Sequence, residues 1–155
     1  MALSANAHAY EIDRTSDRLA SWIGQCCHES MGFTQLNELG GPDYFRRHYE
    51  GSAALGNTQS GDGARFHGRG LIQLTGRANY RRYGAILGFD LLAQPERVAT
   101  PPLAVMTALE FWKQTGLNAY ADRRDWTGMT RRINGGTKGL AERVALIEMA
   151  RGLLA

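Results

Sequence analysis

Thr15-Ser-Asp-Arg-Leu-Ala-Ser-Trp-Ile-Gly-Gln-Cys-Cys-His-Glu-Ser30 sets the fold class. Leu19, Ile23, Cys26, Cys27 and Ser30 recur in it at i, i+4, i+7, i+8 and i+11, the stripe of an amphipathic helix. Thr15 or Ser16 can cap its first turn, and Gly32 breaks it just after Glu29. Working outward, the same spacing predicts a short helix over 43–50 with Pro42 near its first turn, and helices over 77–87, 103–115, 126–133 and 139–154. Gly88, Gly116 and Asn134-Gly-Gly136 supply stops. The expectation is a mainly α domain of six or seven helices with little or no sheet. Leu71-Ile-Gln-Leu-Thr75 alternates, and reads either as a short strand or as the entry to the helix after it. Residues 51–70 hold glycines at 51, 56, 61, 63, 68 and 70, a loop too long for mere connection and therefore a candidate functional segment.

The chain has 155 residues, of which 43% are apolar, enough for one domain over 1–155 with a core of its own. Its apolar runs are far shorter than the ~20 residues that cross a bilayer. Met1-Ala-Leu-Ser-Ala-Asn-Ala-His8 lacks the basic and continuous apolar segments of a signal peptide. The adjacent Cys26 and Cys27 could pair only with strain, which points to a reducing compartment. Net charge is +3 and 16 of the 18 cations are Arg. Residues 1–43 carry six acidic and two basic side chains, 44–97 four and eight, and the remainder five and eight. A basic surface outside an acidic N-terminal part suits an anionic polymer, either nucleic acid or a bacterial wall.

Glu29 and Glu38 bracket the break at Gly32. On one unbroken helix, nine residues would set them about 13.5 Å apart along the axis and on opposite faces. With the helix broken, the chain can return and bring both carboxyls to the two sides of one cleft. Inverting hydrolysis of a glycosidic bond needs roughly 6.5–9.5 Å between its acid and its base, which leaves room for a water. A place in the last helical turn, with apolar Trp22, Met31 and Phe33 nearby in sequence, favours Glu29 as the acid. The competing reading is a pair of solvated surface glutamates.

Phe66-His-Gly-Arg-Gly-Leu-Ile-Gln-Leu-Thr-Gly-Arg-Ala-Asn-Tyr80 is an unusually specific string. With His28-Glu29-Ser30 before it and Ile133-Asn134-Gly135-Gly136 after it, the chain resembles glycoside hydrolase family 19 from about residue 10 onward. That family comprises chitinases and phage or prophage endolysins. Glu-Gly-Ser-Ala-Ala-Leu-Gly-Asn-Thr-Gln-Ser-Gly-Asp-Gly at 50–63 is similar to the short endolysin branch.

The resemblance implies a two-lobed, helical, lysozyme-like (α+β) domain with a central substrate cleft, and inverting hydrolysis without metal or cofactor. It matches Glu29 to the general acid, Glu38 to the general base and Thr75 to the residue that holds the attacking water. Gln73, Asn79 and Asn134 match substrate-binding positions, and Arg143 a basic residue coupled to the catalytic carboxylates. The implied function is a lysozyme-type muramidase acting on the β-1,4 bonds between N-acetylmuramic acid and N-acetylglucosamine of peptidoglycan. The enzyme would be a monomer made in the bacterial cytoplasm, reaching the wall in the periplasm through a holin-type lesion or a secretion system. A secreted effector with the same chemistry would imply an immunity protein as partner. Neither nucleic acid nor a membrane span is expected. Thr137-Lys138 stands where the long-loop chitinases of the family carry an acidic residue, and the extra loops and disulfides of the plant enzymes are absent. Chitinase activity is the runner-up.

Several rival readings are weaker. Cys26, Cys27 and His28 face different directions on a helix and lack the second cysteine pair of a metal site, so buried core cysteines are the plainer reading. Gly68-Arg-Gly-Leu-Ile-Gln has Gln73 where a dinucleotide fingerprint needs its third glycine. The arginine pairs 46–47, 81–82, 123–124 and 131–132 read as solvated helix faces or as contacts to an anionic wall. Trp22, Phe111 and Trp112 read as core, and Tyr80 and Trp126 as core or sugar platforms. Different in kind is a non-catalytic module that binds glycan or, through its arginines, nucleic acid.

Overall fold

A computed structural model describes residues 2–154. Its helices are α1 (Ala2–Asn6), α2 (Ser16–Glu29), α3 (Pro42–Tyr49), α4 (Asp62–Arg65), α5 (Arg77–Leu87), α6 (Leu103–Gln114), α7 (Leu117–Asp122), α8 (Trp126–Asn134) and α9 (Leu140–Leu153). The fold is mainly α, with no strand among the described residues. Among the described residues nine α-helices replace the six or seven expected, because α1, α4 and α7 are too short to show a periodicity of their own. Residues 71–75 form neither a strand nor a helix entry. They make a turn in which Arg69 and Leu74 exchange backbone hydrogen bonds of 3.1 and 2.8 Å, and α5 starts beyond Gly76. Among the described residues, no helix is long and apolar enough to cross a membrane.

Of the two candidate caps, Thr15 is the one used: its Oγ1 accepts from the Arg18 N–H at 3.1 Å. At the other end of α2 the chain reverses through three left-handed residues, Met31, Gly32 and Phe33. Such a conformation is costly for Met and Phe. Ser30 holds it, donating its hydroxyl to Cys26 O at 2.6 Å and accepting from the Phe33 N–H at 3.0 Å. This reversal carries the chain from Glu29 to Glu38.

Two clusters of buried side chains define two lobes. Trp22 and Cys26 of α2 pack with Ala108 and Trp112 of α6, Leu117 of α7 and Met129 of α8. Phe66, Leu74, Tyr80, Tyr83, Leu91 and Val98 form the second cluster against Leu103 of α6. Helix α6 is therefore the wall common to both lobes, and Phe111 packs on both clusters. Helix α9 lies along α2, sealed by Ala20, Ile147 and Ala150. A Cβ at Gly24 would stand 2.6 Å from Ile147 Cγ1, so the two backbones approach as closely as they do because residue 24 has no side chain. Trp22, Trp112 and Tyr80 are core, and Cys26 and Cys27 are free thiols, the first of them buried.

Candidate active site

Glu29 ends α2 and faces α9. Arg143, 2% exposed, sets its Nη2 2.5 Å from Glu29 Oε1. The same guanidinium donates through Nη1 to Gln25 Oε1 at 2.6 Å and through Nε to Lys138 O at 3.4 Å. Gln25 lies one helical turn before Glu29, so a single arginine ties two successive turns of α2 to α9. His28 Nδ1 lies 3.3 Å from Glu142 Oε2 beside them. The apolar surroundings expected for Glu29 differ in composition. Trp22 is buried in the core, and Met31 and Phe33 face solvent. Ile72, Phe111 and Ile133 back the carboxylate instead, around a small enclosed space.

Glu38 belongs to the other lobe. Tyr49, the last residue of α3, donates its hydroxyl to Glu38 Oε1 at 2.6 Å, and the Gly68 N–H donates to Oε2 at 2.9 Å. The Glu38 N–H returns a bond to Gly68 O at 2.9 Å. Burial and the adjacent Glu38 carboxylate push the Tyr49 hydroxyl well above its ordinary value, so it stays a donor. Gln73 Oε1, Glu38 Oε2 and Thr75 Oγ1 lie 2.8, 3.0 and 3.3 Å from the point where a Cβ at Gly68 would stand. The glycine is what lets these three polar groups converge.

Gln73, Thr75 and Asn79 line a cleft of about 430 Å³ whose far side is Phe111, Gln114 and Arg132. Ile72 and Phe111 border both this cleft and the space beside Glu29, whereas Glu38 is in the lining of neither. Gln73 adopts a left-handed backbone with φ 52 and fixes itself by donating Nε2 to Gly70 O at 3.0 Å. Thr75 donates its hydroxyl to Gln73 O at 2.9 Å, leaving the oxygen's lone pairs free to accept. Asn79 donates to Thr75 O at 2.8 Å. Asn134 is placed differently. It is exposed at the end of α8, inside the helix instead of in the turn after it, and it is not part of this cleft's lining.

The glycine-rich excursion braces Glu38's partners. Asn57, fully buried, accepts from the Arg77 N–H at 2.8 Å and donates to Tyr49 O at 2.9 Å. The Glu50 carboxylate accepts from the Gly61 and Gly63 N–H groups at 2.6 and 2.7 Å. Asp62 is locked to Arg77 by two hydrogen bonds of 2.8 and 2.7 Å, which hold its carboxyl below the usual range. The His67 ring stacks on Phe45 at 4.1 Å, and burial lowers its pKa. Sequence reasoning missed Gln25 and Tyr49 as parts of the site. A glutamine one turn before Glu29 was a signal for the first, whereas Tyr49 acts through a contact that no local spacing reveals. Among the described residues, no three His, Cys, Asp or Glu side chains are grouped as metal ligands.

The model for class I chitinases of glycoside hydrolase family 19 matches residues 2–123. The chain belongs to glycoside hydrolase family 19. A glycosyl hydrolase family 19 domain-containing protein of Haemophilus influenzae is 37% identical to it over 82% of this chain and 75% of that protein. Chitinase 6 of rice, Oryza sativa subsp. japonica, is 29% identical over 80% of this chain and 45% of its own, so this chain spans less than half of that relative. Chitinase C from Streptomyces griseus superposes with a TM-score of 0.76 at 23% identity, covering 99% of this chain and 68% of that one. A bacterial family 19 chitinase reaches 0.80 at 23% identity, with 99% and 85% covered. These likenesses show the family 19 helical, lysozyme-like fold. Glu29, Glu38, Gln73, Thr75 and Asn79 fall inside the family-matched stretch, and Asn134 and Arg143 lie beyond it.

Proposed function

We propose that the protein is an inverting peptidoglycan hydrolase that cleaves β-1,4 bonds between N-acetylmuramic acid and N-acetylglucosamine. The reading is carried by the opposed supports of two glutamates: Glu29 against a buried arginine, and Glu38 in a cradle shared with Thr75 and Gln73. Arg143 touches Glu29 Oε1, which leaves Oε2 to carry the proton to the leaving glycosidic oxygen. Glu38 Oε2 and Thr75 Oγ1 converge beside Gly68, so a water in contact with both can be oriented by the hydroxyl and deprotonated by the carboxylate. Amides suit N-acetyl sugars because each offers both donor and acceptor, the part given to Gln73 and Asn79 in the cleft. Arg143, being buried, acts as a positioning residue for Glu29 and does not face the sugar. The basic balance of residues 44–155 and the endolysin-like 50–63 segment support a wall polymer as substrate.

Chitin is the second reading, favoured by the names of the rice relative and of the Streptomyces griseus structure. Incubation of the protein and its Glu29→Gln variant with sacculi and with chitin oligomers, followed by mass spectrometry of the new reducing ends, separates the two. Muropeptides ending in N-acetylmuramic acid, made by the unaltered protein alone, are expected. Cleavage of chitin only would make it a chitinase, and cleavage of neither would leave a binding module.

A further inference from the structure

Among the described residues, seven of the 16 arginines make an ion pair. Arg18, Arg77, Arg124, Arg143 and Arg151 each rest against a carboxylate. Arg82 and Arg132 belong to the nine that make none among the described residues, and they are the two of these that line the cleft holding Thr75 and Asn79; both are exposed, and Arg82 rests over the Tyr83 ring at 5.6 Å. They reach it from different helices, Arg82 from α5 and Arg132 from α8. Asn79, Arg82 and Tyr83 stand at i, i+3 and i+4, so Arg82 shares Asn79's face about 4.5 Å further along the helix. That rise carries the guanidinium past a sugar clamped at Asn79 towards whatever the sugar bears.

Two unpaired guanidinium groups facing one cleft repel each other, and an anion seated between them removes that penalty. The planar fork of arginine matches a carboxylate in two parallel hydrogen bonds. A neutral N-acetylglucosamine polymer offers hydroxyl and acetamide oxygens but no anion to offset the two charges. We infer that Arg82 and Arg132 form a carboxylate subsite that recognises the acidic substituent of a muramyl residue. The carboxylate is either the free lactyl group of a denuded glycan strand or a carboxyl of the stem peptide. This assignment rests on the proposed peptidoglycan reading and makes the two arginines the residues that separate that polymer from chitin.

Binding to the Glu29→Gln protein, measured by calorimetry, tests the subsite without turnover. The ligands are amidase-stripped glycan strands, muropeptides with intact stems, chitohexaose and a short oligodeoxynucleotide. Adding Arg82→Gln and Arg132→Gln is expected to weaken the carboxylate-bearing ligand by about tenfold per arginine and to leave chitohexaose within twofold. The single arginine variants of the otherwise unaltered protein should likewise raise KM on sacculi with kcat held. Loss confined to stripped strands names the lactyl carboxylate, and loss confined to intact muropeptides names the stem. Equal loss on chitohexaose, no loss on any ligand, or oligonucleotide binding as tight as muropeptide binding would overturn the subsite. Failure of the unaltered protein to cut sacculi while the charge-selective binding persists would overturn the hydrolase reading and leave the subsite standing.

Discussion

Gly68 has no side chain where three oxygens meet. An added Cβ would press on Gln73 Oε1 and Glu38 Oε2, both ends of flexible side chains, and residue 68 is not among those with a left-handed backbone. Gly68→Ala is therefore expected to fold with a Tm close to the parent's while displacing the Glu38 carboxylate from its place beside Thr75. The rate should fall about 100-fold, the scale of losing a positioned general base. Steady-state kinetics beside a thermal melt check this, and a full-speed Gly68→Ala enzyme would remove Glu38 from the chemistry. Tyr49 acts from the opposite side of the same carboxylate. Tyr49→Phe keeps the ring and deletes one charge-assisted hydrogen bond, worth about 1.5–3 kcal/mol, so kcat should fall roughly 10–100-fold with KM little changed. A drop in KM affinity alone would instead make Tyr49 a sugar contact.

At the scale of helices, α2 carries the site because its end, and not its middle, holds Glu29. The reversal at Met31 to Phe33 turns the chain, and α9 fixes the last turns through Arg143. The clasp depends on Gly24. A Cβ there would lie 2.7 Å from Ile147 N and 2.9 Å from its Cα, backbone atoms that cannot rotate away. Gly24→Ala should cost about 1–3 kcal/mol through overpacking, visible as a lower midpoint in urea, and should lower kcat as Arg143 shifts from Glu29. An unchanged midpoint would show that α9 is free to slide.

The bounds of α2, α5 and α9 were legible because long amphipathic stripes end in a threonine cap or in glycines such as Gly88. Helices α4 and α7, of four and six residues, were not, since tertiary contacts and not periodicity hold them. Gln73, Thr75 and Asn79 could be read together because they crowd into seven residues of one motif. Tyr49 could not, since its partner Glu38 is eleven residues away across a change of element. Asn134 shows the converse: its motif is local and legible, but α8 continues through it and carries it away from the cleft lining.

Over the whole molecule, the lobe that cradles Glu38 has a stability tied to pH. Arg77 holds the Asp62 carboxyl below its ordinary value, so that pair stabilises the fold above about pH 4 and stops doing so as pH falls through the lowered value. Burial lowers the His67 pKa, which adds stability above about pH 6.5 that is lost as acid forces a proton onto the ring. Tyr80 is pushed up to about 12 by burial, and its hydroxyl donates to His67 O at 2.8 Å while accepting from Arg69. Its contribution is complete below about pH 10 and disappears between about 10 and 12, a difference of roughly 2–3 kcal/mol. Circular dichroism melts from pH 3 to 12 should therefore show a plateau with a fall on each side. Tyr80→Phe should shrink the alkaline fall, to which the raised Tyr49 hydroxyl still adds, at the cost of a lower plateau, because Arg69 loses an acceptor. Asp62→Asn should flatten the acid fall, again from a lower plateau. Asp62, His67 and Tyr80 surround the segment from which Gly68 reaches Glu38, so hydrolysis should be lost along the same limbs as the melt. An Asp62→Asn protein with the parent's acid limb would place the acid-sensitive contact elsewhere, with the Arg18–Asp122 pair between α2 and α7, whose carboxylate is also held low, as the next to replace.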